Sequence, residues 1–357
     1  MKCDIMNAIG IIDADMLGYR YYKFPNLACM KISSYYKDLG YDVKLIEDYS
    51  EVPDFDTVYI SKVFTDTSVP PLIDYYGNKI IKGGTGFYFD KSPNLPHEIE
   101  YSFPDYHLYD DVLDNIGLKK SKRKYFTDTS IGYTTRGCFR KCFFCVNKSS
   151  NKCVKVSDLE QIVDMERKYI YLLDDNLLAY KYNMEILDNV ISLNKPYNFA
   201  QGLDVRLMKP THLEKIENSK LWGDMKIAFD NYGELDSIEP KLKMVSEFEN
   251  IRTQCYLFTG YNPGENDIIE LFKRIKICMD YKIIPYVMRH QNYQNSNYRG
   301  LYINIARWTN QPRFFKKMSF RDFINRIDAE MQKKSSALKY LEMFEDKFGK
   351  WYDMKWE

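Results

Sequence analysis

The chain has 357 residues, 45% of them hydrophobic, which is enough for two domains with sizeable cores and excludes a disordered protein. Its formal net charge is +1, so it carries no global basic field for nucleic acid, and DNA is not an expected partner. The 16% aromatic content, with 31 Tyr, reads as compositional bias in a chain rich in Lys, Asn and Ile.

In chain order, Ala8-Ile-Gly-Ile-Ile-Asp13 predicts a buried strand. Leu27 to Leu39 carries apolar residues at helical spacing and stops at Gly40, a good helix terminator. Val43–Ile46 and Thr57–Val63 read as further strands, and Lys79-Ile-Ile-Lys-Gly-Gly-Thr-Gly86 as a strand entering a Gly-rich loop. This order suggests an open parallel α/β sheet. The loop could cradle a phosphate through exposed N–H groups, but a tight turn using glycine's positive φ is the favoured reading. Residues 90–127 hold Pro93, Pro96, Pro104 and the basic run 119–124, and read as a linker.

From Ser130 onward strands and helices alternate again. Ser130–Thr134 predicts a strand that ends at a cysteine-rich loop, and Val156–Met165 a helix capped by Ser157. Tyr169–Leu173, Tyr197–Leu207 (a strand with its exit loop), Lys226–Phe229, Thr253–Phe258 and Ile283–Met288 read as five more strands. Polar residues follow the second to fifth of the six: Asp174-Asp175-Asn176, Gln201 with Asp204 and Arg206, Asp230-Asn231, and Thr259 to Asn262. Asn310-Gln-Pro312 marks a break, after which an amphipathic helical tail starts at Ser319.

The loop holds Cys138, Cys142 and Cys145 in a C-x3-C-x2-C spacing with Phe144 just before the last cysteine. Three thiolates hold three irons of a cubic 4Fe–4S cluster and leave the fourth open, whereas ferredoxin-type clusters use four cysteines. The stretch Thr135-Arg136-Gly137-Cys138 through Cys145 resembles the radical S-adenosylmethionine superfamily, over roughly residues 128–290. The lead-in is typical of members with an N-terminal cobalamin-binding-type domain.

The resemblance implies a fold class and a domain plan. A Rossmann-like, degenerate cobalamin-binding-type domain spans 1–110, a linker 111–127, a partial (β/α)6 TIM-type barrel 128–296, and a mostly helical region 297–357. The cobalt-ligand motif D-x-H-x-x-G is missing, since Asp13-Ala-Asp-Met-Leu-Gly18 has Met in the His position and no histidine precedes Gly86. Axial histidine ligation from this domain is therefore excluded. Some relatives bind cobalamin without it, so cobalamin stays as a second cofactor that the resemblance allows.

The resemblance also implies an activity. A single 4Fe–4S cluster on Cys138, Cys142 and Cys145 would cleave S-adenosylmethionine to a 5′-deoxyadenosyl radical, with a flavodoxin or ferredoxin as electron donor. The substrate class is a peptide, nucleobase or small molecule, and the outcomes include cobalamin-dependent methyl transfer or rearrangement. Phe144 would pack near the adenine. Arg206, with a guanidinium suited to bidentate pairing, would take the methionyl carboxylate, with Gln201 and Asp204 on the same wall. Asp174 and Asp175 stand where the family has a Gly-Gly-Glu-like stretch for the methionyl amine, and Asp230 and Asn231 would bind ribose hydroxyls. Each of these is also the residue type that caps a turn after a strand. Tyr133, Tyr171, Tyr261, Tyr286 and Cys255 are candidate hydrogen-atom donors. Methylthiotransferase chemistry is not expected, because only Cys3 and Cys29 are available for a second N-terminal cluster.

Only three of the eight cysteines cluster and the others are scattered, which does not make a disulfide framework. No apolar run reaches membrane-spanning length and no signal-peptide pattern opens the chain, so a cytoplasmic, membrane-free protein is expected. The alternative is an iron–sulfur- or zinc-stabilised nucleic-acid-binding protein without S-adenosylmethionine chemistry. Four thiolates suit zinc, and Cys153 could complete such a set.

Overall fold

The computed structural model describes residues 8–18, 22, 24–145, 147, 150–331 and 336–357, with backbone alone for 327–331. It is a mixed α/β protein with several parallel sheets. The chain divides into two compact units, Met1–Ala200 and Gln201–Glu357.

The first unit opens with β1 (Ala8–Asp13), β2 (Asp42–Leu45), β3 (Thr57–Ser61) and β4 (Ile80–Gly83). They form a parallel sheet in the order β2-β1-β3-β4. β1 has the predicted bounds because five consecutive residues, Ile9 to Asp13, are buried in the sheet's centre. The helix Leu27–Asp38 packs on β1, β2 and β3. Asn26 starts it by accepting the N–H groups of Ala28 and Cys29, at 3.1 and 3.3 Å. Ile12, Ile46, Val52, Val58, Ile60 and Ile73 form a core on one side of the sheet.

The core on the other side differs from a linker reading of the residues after 90. Ile9, Ile11 and Met30 pack in one cluster with Tyr106, Tyr109, Val112, Leu113, Phe126 and Ile131. Three prolines and a basic run give this segment the look of a linker, but its spaced aromatic and aliphatic side chains carry the packing. The basic run lies in a helix, Lys120–Thr127, that buries only Phe126.

The second sheet of this unit is β5 (Thr129–Gly132), β8 (Tyr169–Leu172) and β9 (Tyr197–Phe199), parallel in the order β5-β8-β9. Between β5 and β8 lies an antiparallel hairpin, β6 (Thr135–Arg136) with β7 (Val154–Lys155). The helix predicted over 156–165 is not formed; a single 3₁₀ turn, Leu159–Gln161, stands there. Thr134 C=O accepts the N–H groups of Val156 and Ser157, at 2.9 and 3.4 Å, which keeps the chain extended through the expected cap. Asp158, not Ser157, begins the turn in a reciprocal capping box with Gln161.

Two buried side chains lock this unit's interior. Tyr106 Oη accepts the Ile131 N–H at 2.9 Å and donates to Ile162 C=O at 2.5 Å. Arg167 donates to the carbonyls of Phe126, Thr129 and Tyr106, at 2.6, 3.3 and 2.8 Å, and stacks on the Tyr106 ring.

The second unit holds β10 (Met225–Ala228), β11 (Thr253–Thr259) and β12 (Ile284–Arg289), parallel in that order. The helices Glu265–Asp280 and Arg299–Thr309 pack against β12, and the first also against β11. Cys255 and Leu257 are fully buried in this unit's core. At the predicted break, the Asn310 side chain behaves like a strand residue: it accepts the Val287 N–H at 2.7 Å and donates to Val287 C=O at 3.0 Å. Helices Phe320–Met331, Ser336–Met343 and Glu345–Tyr352 follow. No helix among the described residues is long and apolar enough to cross a membrane.

Candidate metal centre

The β6/β7 hairpin forms the base of the cysteine loop, with Thr135 opposite Lys155 and Arg136 opposite Val154. Gly137 then turns the chain at φ +91°, and a Cβ there would meet Ser150 Oγ at 2.3 Å and Lys152 O at 2.4 Å. Only glycine fits this combination of positive φ and close approach. Ser150 Oγ accepts the Cys138 N–H at 3.2 Å and donates to Lys152 C=O at 2.9 Å, which ties the two arms together. Lys141 Nζ bonds Ser150 C=O across the same loop.

All three predicted cysteines are partly exposed. Cys138 Sγ accepts the Arg140 N–H at 3.3 Å and the Asn176 side-chain N–H at 3.2 Å. Cys145 Sγ accepts the Asn147 N–H at 3.4 Å, and Cys145 N–H donates to Cys142 C=O at 3.0 Å. Phe144 meets Phe143 edge-on, with ring centroids 5.1 Å apart. The Arg140 guanidinium lies over the Phe139 ring.

The strand-end residues after β8 turn inward to this loop. Buried Asp174 accepts from Thr134 N–H at 3.3 Å, from the hydroxyls of Thr134 and Thr135 at 2.6 Å each, and from Thr135 N–H at 2.5 Å. Burial pushes its carboxyl above the usual range, and these four donors partly offset that. Asp175 accepts the Gly137 N–H at 2.7 Å. Both predicted carboxylates therefore bond backbone or hydroxyl groups of the loop entry.

The other predicted residues lie in the second unit. Asp204 accepts the Arg206 N–H at 3.3 Å and pairs with Arg206 Nε at 2.7 Å. Arg206 Nη1 pairs with Glu234 at 2.5 Å. Burial opposes the guanidinium charge, but the two carboxylates outweigh it and hold its pKa above the ordinary value. Asp230 accepts the Phe258 N–H at 3.0 Å, and burial raises its carboxyl to about 6. Asn231 caps the next turn through Gly233 N–H at 2.9 Å, while Gln201 is exposed. Sequence reasoning missed Arg274. It is fully buried and donates to the carbonyls of Phe229, Asp230 and Phe258, at 2.9, 3.1 and 2.9 Å, fixing the ends of β10 and β11.

In the first unit, the Gly-rich stretch after β4 bends at Gly84 and enters a short helix, Thr85–Tyr88. Gly84 has φ +99°, and a Cβ would meet Lys62 O at 2.2 Å. Its N–H donates to Ser92 Oγ at 3.1 Å, and Gly86 N–H to Lys62 C=O at 2.9 Å, so these two donors are spent within the protein. At the end of β1, Asp13 accepts the hydroxyls of Tyr22 and Tyr109, both at 2.8 Å.

Among the described residues, no three His, Cys, Asp or Glu side chains are gathered into a metal-binding group. The donor set nevertheless fits an iron–sulfur centre by its chemistry: three thiols within residues 138–145, with N–H groups already directed at two of the sulfurs. No family model and no curated protein sequence matches the chain.

Proposed function

We propose that the protein is a radical S-adenosylmethionine enzyme whose single 4Fe–4S cluster is held by Cys138, Cys142 and Cys145. The supporting observation is the loop itself: its thiols are partly exposed, and N–H donors meet the sulfurs of Cys138 and Cys145. When bound, such a cluster supplies the electron for reductive cleavage of the sulfonium, drawn from an external flavodoxin or ferredoxin. The finer architecture belongs to the same reading. A Rossmann-like domain and a partial (β/α)6 barrel are its proposed form; what supports them is the parallel β1–β4 sheet of the first unit and the separate three-stranded parallel sheets β5-β8-β9 and β10-β11-β12, one in each unit.

In this reading the chain's own residues shape and orient. Asp174 and Asp175 fix residues 134–137, so the first cysteine leaves the hairpin in one direction. In the second unit, Arg206 keeps its charge under Asp204 and Glu234 and is assigned to the methionyl carboxylate. Asp230 and Asn231 are assigned to the ribose hydroxyls, with Asn231 sharing its carbonyl with the turn it caps.

A structural zinc site is the second reading, favoured by Cys153, which directly precedes Val154, the partner of Arg136 in the hairpin, and lies within electrostatic reach of Cys138. Burial pushes the Cys153 thiol up to about 11 in the metal-free protein, so zinc binding there would release its proton. The test is anaerobic reconstitution with iron and sulfide, reduction with dithionite and addition of S-adenosylmethionine. Formation of 5′-deoxyadenosine, abolished by Cys142→Ala, supports the proposal. Tightly held zinc with no such product overturns it.

A further inference from the structure

Three consecutive residues after β8 touch the cysteine loop at three successive points. Asp174 takes Thr134 and Thr135, Asp175 takes the Gly137 N–H, and Asn176 reaches the sulfur of Cys138 itself. The third contact differs in kind, because it meets a metal-binding atom and not the backbone. Asn176 is 5% exposed, and the 3₁₀ turn Leu177–Ala179 that follows buries Leu177 and Leu178. The amide is thus carried on a packed segment. Cys138 Sγ also accepts the Arg140 N–H, so this sulfur sits between two donors from different parts of the chain.

An N–H directed at a thiolate stabilises the more negatively charged state, and hydrogen bonds to ligand sulfur are among the levers that set a cluster's potential. We infer that Asn176 is a positioning residue that orients Cys138 and raises the reduction potential of the cluster bound there. The inference rests on the cluster reading above and adds a regulator of that same site. A merely structural Asn176, holding only the turn at 177–179, would change stability or iron content and leave the potential where it was.

The experiment uses the full chain, reconstituted anaerobically as wild type, Asn176→Leu, Asn176→Gln and Asp175→Ala. Iron content is measured first. Each sample is then titrated with dithionite and followed by EPR; one electron enters the cluster and no bond is broken. In Asn176→Leu the midpoint should move to more negative potential, so that the reduced-to-oxidised ratio at a fixed ambient potential falls roughly tenfold. Asn176→Gln should recover part of that shift. Asp175→Ala should lower iron content and, by removing a negative charge next to the loop, should not reproduce the negative shift of Asn176→Leu. A measurement on the wild type alone covers the case in which Asn176→Leu takes up no iron: with ¹⁵N in the asparagine side chains, pulsed EPR of the reduced protein should show hyperfine coupling to that nitrogen.

An unchanged midpoint in Asn176→Leu overturns the inference, as does absence of the ¹⁵N coupling. If wild type holds the cluster in either case, the cluster reading stands and only the role of Asn176 falls. If wild type takes up no iron, the cluster reading fails and takes this inference with it.

Discussion

Asp175 accepts the backbone N–H of Gly137 at 2.7 Å, one residue ahead of the first cysteine. The bond joins the exit of β8 to the entry of the cysteine loop, so the strand's position is transmitted to Cys138 through one side-chain carboxylate and the backbone of Gly137. Asp174 does the same one residue earlier after β8 and two to three residues earlier before the loop, holding Thr134 and Thr135. A polar pair expected to face a ligand is therefore engaged in building the loop that carries the thiols.

Asp174→Ala should be among the most disruptive single changes in the first unit. It leaves two backbone N–H groups and two hydroxyls without their carboxylate, in a site where Thr134, Thr135 and Asp174 are all buried. The expected loss is about 3 kcal/mol in urea unfolding, with iron uptake on reconstitution abolished. Asp174→Asn keeps an acceptor oxygen and should lose about half as much. Wild-type stability and iron content in Asp174→Ala would refute the clamp.

Among the described residues, each unit carries one buried arginine that no local pattern announces. Arg167→Met strands the carbonyls of Phe126, Thr129 and Tyr106, and Arg274→Met those of Phe229, Asp230 and Phe258. Each substitution should cost about 2–4 kcal/mol. The changed residues should also lose amide-exchange protection within their own unit, at 129–132 and 169–172 for Arg167 and at 225–228 and 253–259 for Arg274. A cost below about 0.5 kcal/mol would show that water replaces the guanidinium without penalty.

These arginines mark where the sequence stops being legible. β1 was readable to the residue because an uninterrupted apolar run has few alternatives, and the other parallel strands were readable to within one or two residues at each end. The α/β class followed from that alternation. The segment 156–165 was not readable, because pairing of β7 with β6 and the bonds to Thr134 C=O are set by residues roughly twenty positions away. Tyr106 and Tyr109 were hidden for the same reason: their partners Ile131 and Asp13 are distant in sequence, while the prolines and lysines around them imitate a linker. At the candidate site the cysteine spacing is local and could be read directly. The partners of Asp174, Asp204 and Asn231 required coordinates, since capping and ligand-binding residues look alike in sequence.

The N-terminal sheet bears on cobalamin. The Gly84 and Gly86 N–H groups are bonded within the protein, and at the end of β1 the carboxylate of Asp13 is occupied by Tyr22 and Tyr109. Ligands of open parallel sheets bind at strand C-terminal ends, where these side chains already lie. Protein mixed with hydroxocobalamin and desalted should therefore emerge without its colour. A retained stoichiometric red complex would show that the tyrosines move aside and would restore cobalamin as a cofactor.

Asp13 also predicts a pH dependence. It is fully buried, and burial raises its carboxyl from 3.8 to about 6; the Tyr22 and Tyr109 hydroxyls oppose the shift, and Asp15 adds to it. A carboxyl raised in the folded state keeps its proton to higher pH than the unfolded chain does. Folding stability from this group is therefore greatest below about pH 4 and declines as pH rises through about 6, with a total change on the order of 3 kcal/mol. Burial likewise raises Asp174 and Asp230, so they contribute with the same sign. Asp13→Asn, which cannot ionise, should flatten the decline between pH 4 and 6 without removing it, and the residual slope belongs to the other two. Urea midpoints at half-unit intervals from pH 4 to 8 measure this directly. If Asp13→Asn follows the wild-type slope, the carboxylate is ionised at no cost, and the two tyrosine hydroxyls compensate fully for its burial.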